Sequence, residues 1–263
     1  MELLVLIKQV PDTTEIRIDP ETNTLIRAGV PSIVNPFDKN ALEAAVQLKE
    51  KHGGSVTVMT MGPKQAAAAL RECYSLGADR MVLICDSRFG GSDTYSTSYV
   101  LSQAIRQLGG FDLILCGKQA IDGDTAQVGP EVAEHLALPQ VTYACELEVS
   151  GDTLRAKREL DNYYTLVETT LPAVVTVVKS INEPRLPNVM RRLTANRMEP
   201  ECITCDALDA LDKSLVGLNG SPTKVFKTFV PSRNKQTVMI DGSRPEQAAQ
   251  ALLQALDGAG VRL

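Results

Sequence analysis

The chain has 263 residues, of which 44% are hydrophobic, 22% charged and 4% aromatic, with no Trp and a formal net charge of −5. That length can bury a full core in one large domain, or in one domain plus an arm. The negative balance disfavours nucleic acid or an anionic membrane as partner, and so few aromatics leave little from which to build a base-stacking platform.

Met1 to Lys8 carries a short apolar run without a basic leader, which predicts a first strand and not a signal peptide. No apolar segment is long enough to span a bilayer, so the expectation is a cytoplasmic protein, or an organelle matrix protein after processing, with no membrane insertion. Ile16 to Asp19 and Thr24 to Ile26 flank the turn-rich Pro20-Glu21-Thr22-Asn23 and predict a hairpin. Asn35-Pro36-Phe37-Asp38 then reads as a helix start. Asn35 suits the N-cap, Pro36 the first helical position, and Asp38 the positive helix end. Leu42, Ala45, Val46 and Leu48 give that helix its apolar face.

Ser55 to Met61 predicts the next strand, followed by a helix that opens at Gly62-Pro63 and turns Ala66, Ala67, Leu70 and Cys73 inward. Arg80 to Cys85 predicts a third core strand. The loop Arg88 to Thr94 leads into a helix with Tyr99, Val100, Ala104 and Leu108 on its inner face. Phe111 to Cys116 reads as a buried strand, and Val132, Ala133, Leu136 and Leu138 as the start of another helix. This alternation predicts an α/β fold with an open, mostly parallel Rossmann-like sheet and helices on both faces. From Val141 the texture changes. Val141–Val149, Thr153–Leu160, Tyr163–Thr170 and Ala173–Val178 read as strands joined by tight turns, which gives an antiparallel extension and one more core strand. After residue 198 periodic runs are few until a final amphipathic helix over Arg244–Leu256. The chain thus divides into an α/β domain over 1–198 and an extended C-terminal arm over 199–263, too irregular for the interior of a compact domain and expected to pack on another subunit.

The richest stretch is Gly117 to Glu131, between a buried strand and a helix. Its small residues free backbone N–H groups above the sheet, where an open α/β fold binds its ligands. Gly117, Gly123 and Gly129 permit close approach, and Thr125 and Gln127 add polar groups. The pattern is neither G-x-G-x-x-G nor a Walker loop. Asp122 and Asp124 would repel phosphate unless they cap the helix or meet sugar hydroxyls. A well-capped strand-to-helix turn accounts for the same residues. The hydroxyl-rich Gly90 to Ser98 is a second small-residue loop at a helix start, explicable by capping alone or as a second wall of one site.

Acid–base or nucleophilic machinery is hard to assemble. Only two His occur. His52 follows a charged run and should face solvent, and His135 lies within a helix. The six Cys are scattered. Cys85 and Cys116 end apolar runs as small hydrophobes, and Cys202 and Cys205 form a lone C-x-x-C, short of the four ligands of a zinc site. A cofactor with its own chemistry suits such a chain better than a side-chain mechanism.

Lys8-Gln9-Val10-Pro11-Asp12, Asn35-Pro36-Phe37-Asp38, Gly77-Ala78-Asp79-Arg80, Gly117 to Asp122, Leu171 to Thr176 and Asn182-Glu183-Pro184-Arg185 with Leu186-Pro187-Asn188 occur in one order. In that order they resemble the β subunits of electron-transfer flavoproteins over nearly the whole length. The resemblance implies pairing with an FAD-bearing α subunit and a second nucleotide in this chain. That nucleotide is AMP in the ordinary branch. In the electron-bifurcating branch it is FAD, which takes hydride from NADH. One electron then goes to ferredoxin or flavodoxin, and the other passes through the α-subunit flavin to an acyl-CoA dehydrogenase-like partner. Ordinary members read Asp-Asp-x-x-Asn-Gln-Thr-Gly-Gln after Gln-Ala-Ile. The present Asp122-Gly123-Asp124-Thr125-Ala126-Gln127-Val128-Gly129-Pro130 looks like the bifurcating pattern, as do Val10-Pro11-Asp12-Thr13 and Ser92-Asp93-Thr94 with Thr97.

By this resemblance Asn35, Asp38, Met61 and Gln119, Ala120, Ile121, Asp122, Gly123, Asp124, Thr125, Ala126, Gln127, Val128 and Gly129 surround the adenosine and phosphates. Val10, Asp12, Thr94 and Thr97 lie nearer the isoalloxazine end, and Leu186 matches an apolar anchor for the dehydrogenase. The resemblance assigns no catalytic side chain and no metal.

Overall fold

A computed structural model describes residues 1–12, 31–227 and 237–261. The hairpin expected over 16–26 lies outside the described residues, as does Thr13. The strands are β1 (Glu2–Leu6), β2 (Gln9–Pro11), β3 (Ser32–Val34), β4 (Ser55–Met61), β5 (Arg80–Ile84), β6 (Leu113–Gly117), β7 (Gln140–Ser150), β8 (Thr153–Glu159), β9 (Tyr164–Thr170), β10 (Ala173–Val177) and β11 (Glu201–Ile203). The helices are α1 (Pro36–His52), α2 (Ala67–Ser75), α3 (Thr94–Leu108), α4 (Val128–Leu136), α5 (Val189–Ala195), the short α6 (Gly217–Gly220) and α7 (Pro245–Gly258).

Nine strands form one sheet in the order β11-β5-β4-β1-β6-β10-β7-β8-β9. It is parallel from β11 to β7, and β7-β8-β9 is the antiparallel extension. β2 and β3 pair separately, antiparallel, beside the end of β1. The strand alternation sorts the core into two layers. Leu3, Val5, Val58, Leu113, Leu115 and Val175 pack under α1 and α2 with Leu42, Val46 and Leu70. Leu4, Leu6, Met59, Ile84, Ile114 and Val174 face α3 and α4 with Val100, Ala104 and Val132. Strands buried on both faces read as unbroken apolar runs, which is why each was visible in the sequence.

Two compact units emerge, Met1–Lys227 and Thr228–Leu263. The break thus falls well after residue 198. Residues 199–227, expected to belong to the arm, sit in the first unit, because β11 adds to β5 in parallel and Ile203, Cys205, Leu208, Leu211 and Val216 join the second core layer. Three residues of strand and short turns carry no periodic signal, so the pairing was invisible in sequence. The second unit contains α7, the expected terminal helix, which buries none of its residues. No helix among the described residues is long and apolar enough to cross a membrane.

Candidate functional site

The chain runs from β1 outward through β4 to β5, then returns to lay β6 on the other side of β1. That reversal leaves β1 and β6 side by side, the place where an open α/β sheet offers a ligand crevice beyond the strand carboxyl ends. The chain segments at its rim are Lys8 after β1, the Asn35 turn into α1, Met61 at the end of β4, the start of α3, and the loop 118–127 after β6.

Asn35 stands at the N-cap position of α1, but its side chain makes no cap bond. The expected position holds, but the side chain is fully buried and bridges to the β6 loop instead. Its Nδ2 donates to the Gln119 carbonyl at 2.9 Å, and its Oδ1 accepts the Ile121 N–H at 3.2 Å. Pro36 opens the helix as expected. Asp38 faces inward, accepting the Lys8 N–H at 2.7 Å and the Gly117 N–H at 3.0 Å, so one carboxylate ties together the ends of β1 and β6. Burial pushes its pKa up to about 7, against the pull of Asn35, the two N–H donors and the Lys8 charge.

The contact between β6 and α1 is close because residue 117 is Gly. A Cβ there would stand 2.5 Å from the Phe37 Cβ and 2.7 Å from its carbonyl carbon. Gly129 is small for a comparable reason. It is buried within α4, and a Cβ would lie 2.5 Å from Thr176 Cγ2 and 2.8 Å from Cys116 Sγ. Helix α4 begins at Val128, four residues before the expected start, so the loop ends at Gln127 and Val128 and Gly129 already belong to the helix.

Within the loop, Lys8 Nζ pairs with Asp122 Oδ1 at 2.7 Å, and Gln119 Nε2 donates to Asp124 Oδ1 at 2.7 Å. The two aspartates that are awkward beside a phosphate therefore have partners of their own. Asp124 and Ala126 hold left-handed backbone, φ 50° and 54°, which for Ala costs about 1 kcal/mol and marks a loop shaped by more than chain economy. Among the described residues no protein acceptor takes the N–H groups of Thr125, Ala126 or Gln127. A Cβ on Gly123 would meet nothing within 4 Å. Free N–H donors ahead of a helix N-terminus suit an anion.

Thr94 reaches the same loop. Its Oγ1 lies 3.1 Å from both Gln127 Oε1 and Glu131 Oε1 and shares its single proton between them. Glu131 Oε2 is buried and unpartnered. Thr94 sits there because Asp93 caps α3, accepting the Ser96 N–H at 3.0 Å. The other Asp93 oxygen holds the N–H and Oγ1 of Thr223 at 2.9 and 2.8 Å.

The structure thus joins Asn35, Gln119 and Ile121 directly, Asp122 through Lys8, and Gln127 through Thr94. Ala120 lies between bonded neighbours, and Thr97 is in the first turn of α3. Val10 is buried in β2, and the Asp12 N–H donates to the Pro31 carbonyl. Lys8 and Glu131 were absent from the sequence-derived set. An isolated charge next to an apolar run gives no sign that it will face a loop more than a hundred residues away. Leu186 lies elsewhere, 88% exposed, and does not pack between its prolines.

Among the described residues no group of three His, Cys, Asp or Glu is placed to hold a metal. Cys202 is exposed and Cys205 buried, so the C-x-x-C does not converge. His135 packs edge-on against Tyr95 and Tyr99 at the α3–α4 contact, and His52 is exposed.

Residues 22–202 match the family model described as Electron transfer flavoprotein domain. The chain belongs to the electron transfer flavoprotein family. It is 49% identical over 262 residues to an electron transfer flavoprotein subunit beta of Thermoanaerobacterium thermosaccharolyticum, covering 99% of this chain and 100% of the relative. A subunit beta from Megasphaera elsdenii is 50% identical, over 91% of each chain. The caffeyl-CoA reductase-Etf complex subunit CarD of Acetobacterium woodii is 44% identical, over 97% of this chain and 98% of its own. An electron transfer flavoprotein β subunit pairs with an α subunit, so this crevice belongs to one half of a two-subunit electron carrier.

Proposed function

We propose that this electron transfer flavoprotein β subunit is of the bifurcating type and holds FAD in the crevice at the strand reversal. The loop 119–127 carries the reading. It is open at Gly123, offers N–H groups of Thr125, Ala126 and Gln127 that take no acceptor among the described residues, and engages its own aspartates, Asp122 in an ion pair with Lys8 and Asp124 in a hydrogen bond from Gln119. The buried, unpartnered Glu131 oxygen beside Thr94 adds an acceptor suited to a ligand hydroxyl or ring N–H. Asn35, Met61 and the 119–127 loop would hold adenosine and phosphates, with Asp38 bracing the two strand ends from behind. Val10, Asp12, Thr94 and Thr97 would lie toward the ring system.

When bound, FAD would supply hydride acceptance from NADH and one-electron delivery to a ferredoxin or flavodoxin and, through the α-subunit flavin, to an acyl-CoA dehydrogenase-like enzyme. The chain's own residues bind, orient and insulate. The CarD relative, named for a caffeyl-CoA reductase complex, supports a reductase-type partner. We place Leu186 at the dehydrogenase and the C-terminal arm on the α subunit, in the cytoplasm. The test is the nucleotide content of the purified αβ heterodimer. Two FAD per heterodimer, bleached by NADH, is the expected result. One FAD plus one AMP overturns the bifurcating assignment and leaves the ordinary electron carrier with structural AMP.

A further inference from the structure

Leu186 protrudes from a segment pinned on both sides. Ahead of it, Asn40 of α1, buried, donates from Nδ2 to the Asn182 carbonyl at 2.8 Å, and Asn182 Nδ2 donates back to the Asn40 carbonyl at 3.0 Å. One turn further along α1, Glu43 accepts the Arg185 N–H at 3.2 Å, its Nε at 2.8 Å and its Nη2 at 3.1 Å. The same guanidinium reaches Glu50 two turns on, at 2.6 and 3.1 Å. Glu43 is buried, and burial works against its charge, yet the Arg185 bonds and Gln47 hold its carboxyl below the usual range. Behind Leu186, the Asn188 N–H donates to the Ser75 carbonyl at 2.9 Å, and Arg191 Nε to the Tyr74 carbonyl at 2.8 Å.

Between these pins only Leu186 and Pro187 stand free. Leu186 is followed at helical spacing by Val189, Met190 and Leu193, exposed by 72, 71 and 53%. A buried carboxylate with a two-carboxylate arginine clamp is an expensive device for a surface segment. It makes sense where a protruding apolar side chain must be rigid before it docks, since ordering cost is then not taken from the binding energy.

We propose that Arg185, locked between Glu43 and Glu50, is the positioning residue that presents Leu186 as a preformed knob for an apolar pocket of the acyl-CoA dehydrogenase partner. This rests on the assignment of Leu186 to that partner, and the test separates the two. The nucleotide-loaded αβ heterodimer is titrated against a purified short-chain acyl-CoA dehydrogenase from the same cells, following electron transfer. Four forms are compared: the natural protein, Glu43→Gln, Leu186→Ala and the double variant. Glu43→Gln should raise KM for the heterodimer roughly tenfold, leave kcat within about twofold, leave nucleotide content unchanged, and speed amide exchange over 183–188. In the Leu186→Ala background the same change should add nothing to KM. A KM unmoved by Glu43→Gln but raised by Leu186→Ala overturns the positioning role alone, as do effects that multiply in the double variant. A KM unmoved by Leu186→Ala overturns the docking assignment and the positioning role with it. If the Glu43→Gln heterodimer cannot be purified, Arg185→Lys loses the fork but keeps the charge. The same KM rise is then expected, and an unchanged KM overturns the proposal.

Discussion

Gly117→Ala isolates the contact on which the crevice depends. The new Cβ would fall 2.5 Å from the Phe37 Cβ and 2.7 Å from the Phe37 carbonyl carbon, closer still to Asp38 Oδ1. Two of these three atoms cannot rotate away, so β6 and the first turn of α1 must separate. Overpacking of this kind costs about 1–3 kcal/mol. For a cooperative unit spanning Met1–Lys227, each kcal/mol is worth about 2 °C in Tm, so the variant should melt roughly 2–6 °C lower. The separation also pulls Asn35 from Gln119 and Ile121 and Asp38 from the Gly117 N–H, so nucleotide content should fall with Tm. Gly123→Ala is the control: it points into open space and should leave Tm within about 1 °C. Gly123→Trp should leave Tm there too while blocking nucleotide loading. Calorimetry, with nucleotide released by denaturation and counted by chromatography, reads all three. A Gly117→Ala protein that melts with the natural one and carries its full nucleotide would refute the view that this contact shapes the site.

Asp38 gives a pH dependence of definite sign. Its folded pKa of about 7 lies above the unfolded value of 3.8, so the folded state binds the proton more tightly. Its stability contribution is full below about pH 4 and is lost as pH rises to about 7. Relative to Asp38→Asn, the natural protein should lose up to about 4 kcal/mol over that window and be flat above it; urea titrations at pH 5, 6, 7 and 8 showing a rising difference would contradict the burial argument. Ala137 ends α4 in left-handed backbone, φ 55°. Ala137→Gly should therefore stabilise by up to about 1 kcal/mol, and a lower Tm would show that the Ala methyl group matters there.

The fold was legible wherever strands are buried on both faces or helices show one apolar stripe. Every strand from Leu3 to Val177 that joins the main sheet was visible by its apolar run or its alternation. β11 was not, because Glu201-Cys202-Ile203 owes its pairing to the free edge of β5 and not to any pattern of its own. The candidate site was recognisable as residue types at a strand-to-helix turn, since the reversal of strand order makes such turns converge. Its wiring was not. Asn35 looks like a cap and acts as a bridge, and Gly129 looks like part of a phosphate loop but answers to Thr176 and Cys116 beneath it. Lys8 finds Asp122 only once β1 and β6 lie side by side. Local spacing reports local roles, whereas these residues bond across 30 to more than 100 positions of chain.

Helix α1 carries Asp38 at one end and the Arg185 clamp further along. At 1.5 Å per residue, Glu43 and Glu50 stand about 8 and 18 Å down the axis from Asp38. One uninterrupted rod therefore sets the span between the proposed cofactor crevice and the proposed docking knob. On the docking proposal, substitutions over 186–193 would refit the knob to a different dehydrogenase without altering that span, which would make the segment an interchangeable adaptor on a fixed chassis.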